Sequence, residues 1–363
     1  MSAADGMTYA PVGKAAPVCK GGEFVFAATH LDHGHIHGQC NGLAEAGGTL
    51  KWVYDPDPAK VELLLQKHPA ANAARSLEQI LDDASVHLVA AAAIPNLRGP
   101  LGCQVLRAGK DYFTDKTPFT TLAQLEEAKA AVAETGRKYM VYFSERLHVE
   151  CAVHAGTLIK EGLIGRVVQT LGTGPHRLSA STRPGWFFDH AQYGGILCDI
   201  GSHQCEQFLI YTGARDATIV ASTVGNFANP DHPELEDFGE CSLIADNGAS
   251  GYFRIDWLTP NGLSTWGNGR MVILGTTGYM ELRKYTDVAT GNGGDQLILV
   301  DGDGEKRIPC AGKVGYPFFG QMILDSLNRT ETAMTQNHAF KAAELCLLAQ
   351  QKARRLTATL GEG

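Results

Sequence analysis

No two of the nine cysteines form a C-x-x-C pair. Cys19, Cys40, Cys103, Cys151, Cys198, Cys205, Cys241, Cys310 and Cys346 are an odd, scattered set, which argues against a disulfide framework. They are expected to be reduced thiols used as small core residues, which points to the cytoplasm. Long apolar runs are missing too, none approaching the roughly 18 residues of a membrane span. Residues 1–22 hold no sustained apolar stretch and read as a loose arm rather than a signal peptide. Positive charge is not in excess: 31 Lys and Arg stand against 39 Asp and Glu, a net charge of -8. That balance gives no electrostatic reason for nucleic acid or an anionic membrane as partner. Repeats, low-complexity tracts and a G-x-G-x-x-G fingerprint are likewise absent. What remains is a chain of 363 residues, 44% hydrophobic and 19% charged, long enough for two domains and suited to a small-molecule ligand.

Strand-like and helix-like runs alternate over the first 145 residues or so. Glu23–Thr29, Leu50–Tyr54, Ser85–Ala93, Asp111–Thr114 and Tyr139–Phe143 read as strands. Between them Ile36–Glu45, Pro58–Lys67, Gly99–Ala108 and Leu122–Thr135 read as helices. Such alternation predicts a doubly wound parallel sheet with its ligand crevice beyond the C-terminal strand ends. After a boundary near Ser144–His148 and a helix Cys151–Glu161, the pattern changes to Arg166–Gly172, Thr218–Val224, Glu240–Ala245, Ala249–Trp257, Arg270–Leu274 and Gln296–Val300. Turn-rich links join these runs, which predicts an α+β domain with a large, mostly antiparallel open sheet and a closing helix over Asn337–Thr357. The expected division is an arm over 1–22, a nucleotide-binding domain over 23–145 and a substrate and oligomerisation domain over 146–363.

Chemistry concentrates at three places. In Gly194–Phe208, GGILCDIGSHQCEQF, Asp199 and His203 stand four residues apart, on one face if the segment is helical from about Asp199. A carboxylate beside an imidazole orients it and raises its basicity, although a helix cap followed by a core histidine has the same spelling. In Ala27–Gly38, AATHLDHGHIHG, the residues His30, Asp32, His33, His35 and His37 crowd the turn where a first strand would meet a nucleotide. A metal site is not expected there, because the order H-x-D-H-x-H-x-H departs from the H-x-H-x-D-H of binuclear hydrolases. Asp55 closes the second strand where ribose hydroxyls are held, with no Arg adjacent, which favours NAD over NADP; it also suits a turn through Pro56. In Asp115-Lys116-Thr117-Pro118 a lysine at the crevice edge suits a reacting oxygen, or solvent alone.

Together these pieces resemble the Gfo/Idh/MocA family of nucleotide-dependent oxidoreductases, relatives of glucose–fructose oxidoreductase and inositol dehydrogenase. The likeness is carried by Asp115-Lys116-Thr117-Pro118 against the family's E-K-P loop and by Gly194–His203 against its G-G-x-x-x-D-x-x-x-H signature. Ile94-Pro95-Asn96 matches a T-P-N loop, and Arg146 the arginine that opens the second domain. The resemblance implies a Rossmann domain and makes Lys116, Asp199 and His203 the catalytic set. It further implies that Thr29, His30, Asp32, His33, His35, Asp55, Ile94, Pro95, Asn96, Arg98, Asp115 and Lys116 line the cofactor. Four departures stand out. The turn is histidine-rich rather than glycine-rich, Thr117 enters the E-K-P pattern with Asp115 for its Glu, Arg98 stands where relatives carry His, and Glu206 replaces an Asp.

Aromatic faces among hydrogen-bonding groups suit a sugar or cyclitol ring, so Arg146, His176, Trp186, Asp189 and Tyr193 are expected substrate residues beside Asp199 and His203. The expected function is hydride transfer between NAD, or NADP, and a secondary hydroxyl or ketone of a sugar, sugar derivative or cyclitol, in a homo-oligomer (dimer or tetramer). The alternatives are an NAD-dependent glycoside-cleaving or epimerising enzyme working through a transient ketone, and a non-catalytic nucleotide-binding protein.

Overall fold

The computed structural model describes residues 6–11 and 16–356. The chain forms two compact units, and each is built around its own sheet.

The first unit takes Met7–Tyr142 and regains Gly315–Phe340. Its strands are β1 (Val25–Thr29), β2 (Thr49–Tyr54), β3 (Asn72–Ala73), β4 (Leu88–Ala91), β5 (Asp111–Asp115) and β6 (Tyr139–Tyr142), parallel throughout in the order β3-β2-β1-β4-β5-β6. Every residue of β1, β4, β5 and β6 is buried, as strands covered on both faces require. The crossovers carry α1 (His35–Glu45), α2 (Pro58–Lys67), α3 (Leu77–Asp82), α4 (Pro95–Arg107) and α5 (Leu122–Thr135). Local chemistry sets their ends. Asp57 accepts from the Ala59 amide at 2.9 Å ahead of Pro58, while Gly136 takes the left-handed turn (φ 63°) that stops α5.

The second unit includes Phe143–Val314 and the chain from Lys341 onward. It begins with α6 (Ser144–Leu147) and α7 (Glu150–Lys160), followed by β7 (Val167–Pro175), α8 (His190–Tyr193), α9 (Ile196–Asp199) and α10 (Gly201–Thr212). Strands β8 (Ala217–Gly225), β9 (Phe238–Ala245), β10 (Ser250–Asp256), β11 (Arg270–Gly275) and β12 (Tyr279–Arg283) come next. A small ribbon, β13 (Thr286–Asp287) and β14 (Asn292–Gly293), precedes β15 (Gln296–Asp301) and β16 (Gly304–Pro309). In the first unit α11 (Pro317–Asn328) packs its aromatic face on α1; α12 (Gln336–Lys352) then leads into β17 (Arg354–Leu356). Nine strands form one sheet in the order β16-β15-β12-β11-β7-β10-β9-β8-β17, antiparallel except at β7–β10 and β8–β17. Its inner face, with Met271, Ile273, Met280, Leu282, Leu297 and Leu299, meets Cys151, Ala155 and Leu158 of α7 and Tyr211 of α10.

The structure differs from the expectations in three places. Helix α4 starts at Pro95, since a proline preset to the helical φ fits its first turn. The last helix stops at Lys352, and Arg354–Leu356 pairs with Thr223–Gly225; Thr357 lies outside the described residues. Residues 315–340 join the first unit, with Phe318 and Phe319 against Phe113, so one cut near 145 does not divide the chain. Of the expected arm, residues 1–5 and 12–15 lie outside the described residues. The rest is anchored, Val18 donating to the Ala46 carbonyl at 2.9 Å and Gly6 packing on the Trp266 ring.

Candidate active site

At the C-terminal ends of β1, β2, β4 and β5 the first unit gathers the residues expected around a nucleotide. The turn from β1 into α1 passes through His30 in the left-handed region (φ 49°), with Thr29 Oγ1 and His30 Nδ1 2.9 Å apart. The first amide of α1, that of His35, donates to His33 Nδ1 at 3.2 Å, and the next two donate to the His33 and Gly34 carbonyls at 3.2 and 3.1 Å. Glycines serve packing here: a Cβ on Gly38 would stand 2.7 Å from the Tyr142 hydroxyl, and one on Gly42 2.4 Å from the Phe319 ring. Asp55 follows β2, accepting from Leu31 N at 2.6 Å and Asp57 N at 2.9 Å. A carboxylate offers about four acceptor positions, so roughly two remain for ribose hydroxyls. Lys60 Nζ sits 2.7 Å from Asp32 Oδ1 and 3.7 Å from Asp55 Oδ1, a cation at this corner that no adjacent residue in the sequence announced. Asn96 Oδ1, at the start of α4, is buried without a hydrogen-bond partner. Spare carboxylate acceptors on Asp55 and the orphan amide oxygen of Asn96 fit a dinucleotide at these strand ends.

The loop carrying Lys116 is held from behind. Arg98 Nε donates to the Ala93 carbonyl at 2.6 Å, and its Nη1 donates to the Lys116 carbonyl and, at 3.2 Å, to that of Thr117. Its Nη2 lies 3.3 Å from Asp115 Oδ2. His35 Nδ1 is 2.9 Å from Asp115 Oδ1, and the His35 amide donates to His33 Nδ1 at 3.2 Å. Burial alone would raise the Asp115 carboxyl, but His35 and Arg98 outweigh it and hold it far below the usual range. Burial, then His35, holds His33 well below the ordinary imidazole range; it is neutral, and with Nδ1 accepting, its proton sits on Nε2. One ligand-capable atom from each of His33, His35 and Asp115 falls within 4.8 Å of the others. The Arg98 guanidinium lies beside that carboxylate, which opposes a dication there. Arg98 and Asp115, 1% and 0% exposed, support the loop that bears Lys116.

In the second unit the Asp199 and His203 segment is helical from Ile196, earlier than expected. Gly194 and Gly195 take φ of 85° and 89°, and a Cβ on Gly195 would stand 2.3 Å from the Gln350 amide. That approach lets Gln350 Oε1 accept from Leu197 N at 3.0 Å while Glu236 accepts from Ile196 N at 3.0 Å, so two α12 and loop residues cap α9. Ile200 stays helical (φ -77°, ψ -37°) between α9 and α10, which keeps Asp199 and His203 one turn apart. Both are buried; Ser202 donates to the Asp199 carbonyl at 2.8 Å, and the Phe143 ring meets His203 edge-on at 6.4 Å.

Several expected substrate residues are engaged within the fold. Arg146 grips the Glu206 carboxylate through Nε at 2.7 and 2.9 Å and through Nη2. Asp189 caps α8, accepting from Ala191 N at 2.9 Å and Gln192 Nε2 at 2.6 Å. Tyr193 is core: its ring stacks on Phe187, and its hydroxyl donates to the Glu234 carbonyl at 3.2 Å and accepts from Glu236 N at 2.9 Å. Asp189 thus caps a helix, and Tyr193 belongs to the core of the second unit. Trp186 is half-buried beside Phe187, and His176 packs on Trp257 and Trp266. Sequence reasoning missed Lys60, Glu145, Lys284, Gln204 and Gln207. The last two had a signal: the polar run of α10 leaves no wide apolar face, yet Ser202–Gln207 is buried throughout.

Comparison with known proteins agrees with this geometry. Residues 22–143 match the model of an oxidoreductase family with NAD-binding Rossmann fold, and residues 153–281 the GFO/IDH/MocA C-terminal domain. A D-xylose dehydrogenase of Paenarthrobacter nicotinovorans is 26% identical over 150 residues, 40% of this chain and 38% of that one. The chain aligns with less than half the length of the curated relatives it matches. A solved structure from Erwinia carotovora atroseptica SCRI1043, described no further than as a proposed oxidoreductase, is 50% identical over 92% of this chain and 100% of that one, with a TM-score of 0.89. Levoglucosan dehydrogenase in complex with NADH shares the fold, with a TM-score of 0.75 at 18% identity, covering 91% of this chain and 96% of its own. With both of its units matched, the chain belongs to the GFO/IDH/MocA family of oxidoreductases and carries that family's NAD-binding Rossmann domain.

Proposed function

We propose that this protein is a dehydrogenase that uses NAD, with NADP as the alternative, to interconvert a secondary hydroxyl and a ketone on a sugar, sugar derivative or cyclitol. The observation that carries the reading is the retention of Lys116 at the end of β5 together with Asp199 and His203 one turn apart on a buried helix. A D-xylose dehydrogenase among the relatives supports a carbohydrate substrate. When bound, the nicotinamide ring supplies the hydride acceptor. His203 takes the proton of the reacting hydroxyl, and Asp199 orients the substrate or the imidazole. Lys116, whose loop resembles the family's E-K-P pattern, donates to a reacting oxygen and steadies the charge that develops on it. Asp55 accepts from the ribose hydroxyls, while Thr29, His30, Asp32, Ile94, Pro95 and Asn96 line the cofactor. His176 and Trp186 contribute to the sugar pocket. Nine free thiols and the lack, among the described residues, of a helix long and apolar enough to cross a membrane support a cytoplasmic location.

Titration of the purified protein with NADH and NADPH, followed by nicotinamide fluorescence, tests the reading and precedes a sugar and polyol screen. Saturable NADH binding and absorbance change in step with product are expected. Asp55→Ala should weaken NADH binding more than NADPH binding, and an equal loss would remove Asp55 from the ribose. Failure of the wild-type protein to bind either nucleotide would overturn the proposal.

A further inference from the structure

Two opposite charges are buried side by side in the second unit, and neither has a place in the reaction proposed above. Glu145 on α6 is 1% exposed, and the Lys284 side chain, just past β12, is fully buried. Lys284 Nζ lies 2.8 Å from Glu145 Oε2 and 2.7 Å from Gln207 Oε1, while Gln204 Nε2 donates to the same Oε2 at 3.2 Å. Both glutamines belong to α10, and Gln207 Nε2 donates to the His203 carbonyl at 2.9 Å. The ion pair therefore ties α6 and the end of β12 to α10 through the two glutamines that follow His203, one of which bonds the His203 carbonyl. Burying such a pair is costly, and apolar residues of similar volume would serve packing as well or better. Its position against the histidine helix suggests a reason for that cost.

We propose that Glu145 and Lys284 are positioning residues that place His203 and set its affinity for a proton. The inference rests on reading His203 as the proton acceptor. Burial by itself would raise the Glu145 carboxyl; Lys284 outweighs burial, with help from His203 and His176, and holds it at about 2. Glu145 is thus an anion throughout the neutral range, and its charge acts on the His203 imidazole. Other charged groups around it are His176, whose Nε2 faces Glu145 Oε1 at 3.8 Å from the end of β7, Asp199 on α9, and the mutually paired Arg146 and Glu206. A nearby anion favours the protonated imidazole, and the Lys284 cation opposes that effect.

The signs make the test specific. Glu145→Gln keeps shape and hydrogen bonds but leaves Lys284 uncompensated, so His203 should lose its proton at lower pH. The limb of kcat/KM that rises with pH should move down by roughly one pH unit. Glu145→Gln combined with Lys284→Met restores neutrality, and the limb should return toward its wild-type position. Imidazole nitrogen shifts of His203, followed by NMR in each folded variant, report the same titration without turnover, with thermal melting to confirm folding. An unmoved His203 titration in Glu145→Gln, or a double variant displaced as far as the single one, would overturn the inference. A His203 titration that moves as stated in a protein without dehydrogenase activity would support the coupling and count against the proposed reaction instead.

Discussion

Lys116 and His203 sit on rigid supports of different kinds, and substitution should separate chemistry from cofactor binding. Arg98 ties the carbonyls of Lys116 and Thr117 to the end of β4, whereas α9 and α10 carry His203 on helical backbone. Lys116→Ala and His203→Ala should each lower kcat roughly a hundredfold or more, since positioned proton transfer and oxygen stabilisation each contribute on that scale. NADH affinity should change far less; turnover at the wild-type level in either variant would remove that residue from the mechanism. Asp189 teaches the opposite lesson. Its spacing to the aromatic cluster resembles a sugar contact, but its carboxylate caps α8, accepting from the Ala191 amide and the Gln192 side chain.

At the scale of elements, glycine marks where a helix must approach its neighbour. Gly42 in α1 faces the ring of Phe319 on α11, which is itself enclosed by Phe113, Tyr142 and Phe318. Gly42→Ala gains about 1 kcal/mol of helix propensity. The methyl group must displace a packed aromatic ring, which costs about 1–3 kcal/mol, so a net fall in melting temperature is expected. Gly156 in α7 provides the contrast, since a Cβ there would meet only Tyr211 Cε1 at 3.9 Å. Gly156→Ala should therefore raise the melting temperature. Equal shifts in the two variants would show that ring packing against α1 is looser than the contact distance implies.

For the whole molecule, the face of the nine-stranded sheet turned away from α7 and α10 decides the expected assembly. Leu171, Ile244, Tyr252, Leu274 and Tyr279 are exposed on it, and Leu171 pairs with Tyr252 and Leu274 with Tyr279 on adjacent strands. We propose a second copy of the chain as its cover, because an exposed apolar sheet face is commonly buried at an interface and homo-oligomers most often close under two-fold symmetry. Sedimentation should give at least twice the monomer mass, and Leu171→Lys with Tyr252→Lys should give the monomer; a monomeric wild type would exclude the assembly. Much of this architecture was legible in the residues. Period-two and period-3.6 patterns with caps located α2 and α5 to the residue, because such local signals are completed within a few residues of chain. The D-x-x-x-H spacing brought Asp199 and His203 to one turn for the same reason. Only the tertiary structure could return 315–340 to the first unit, set Lys60 against Asp32 and Asp55, and join Glu145 to Lys284 across 139 residues of sequence. Those contacts are made by side chains whose neighbours are chosen by packing, and spacing along the chain carries no record of them.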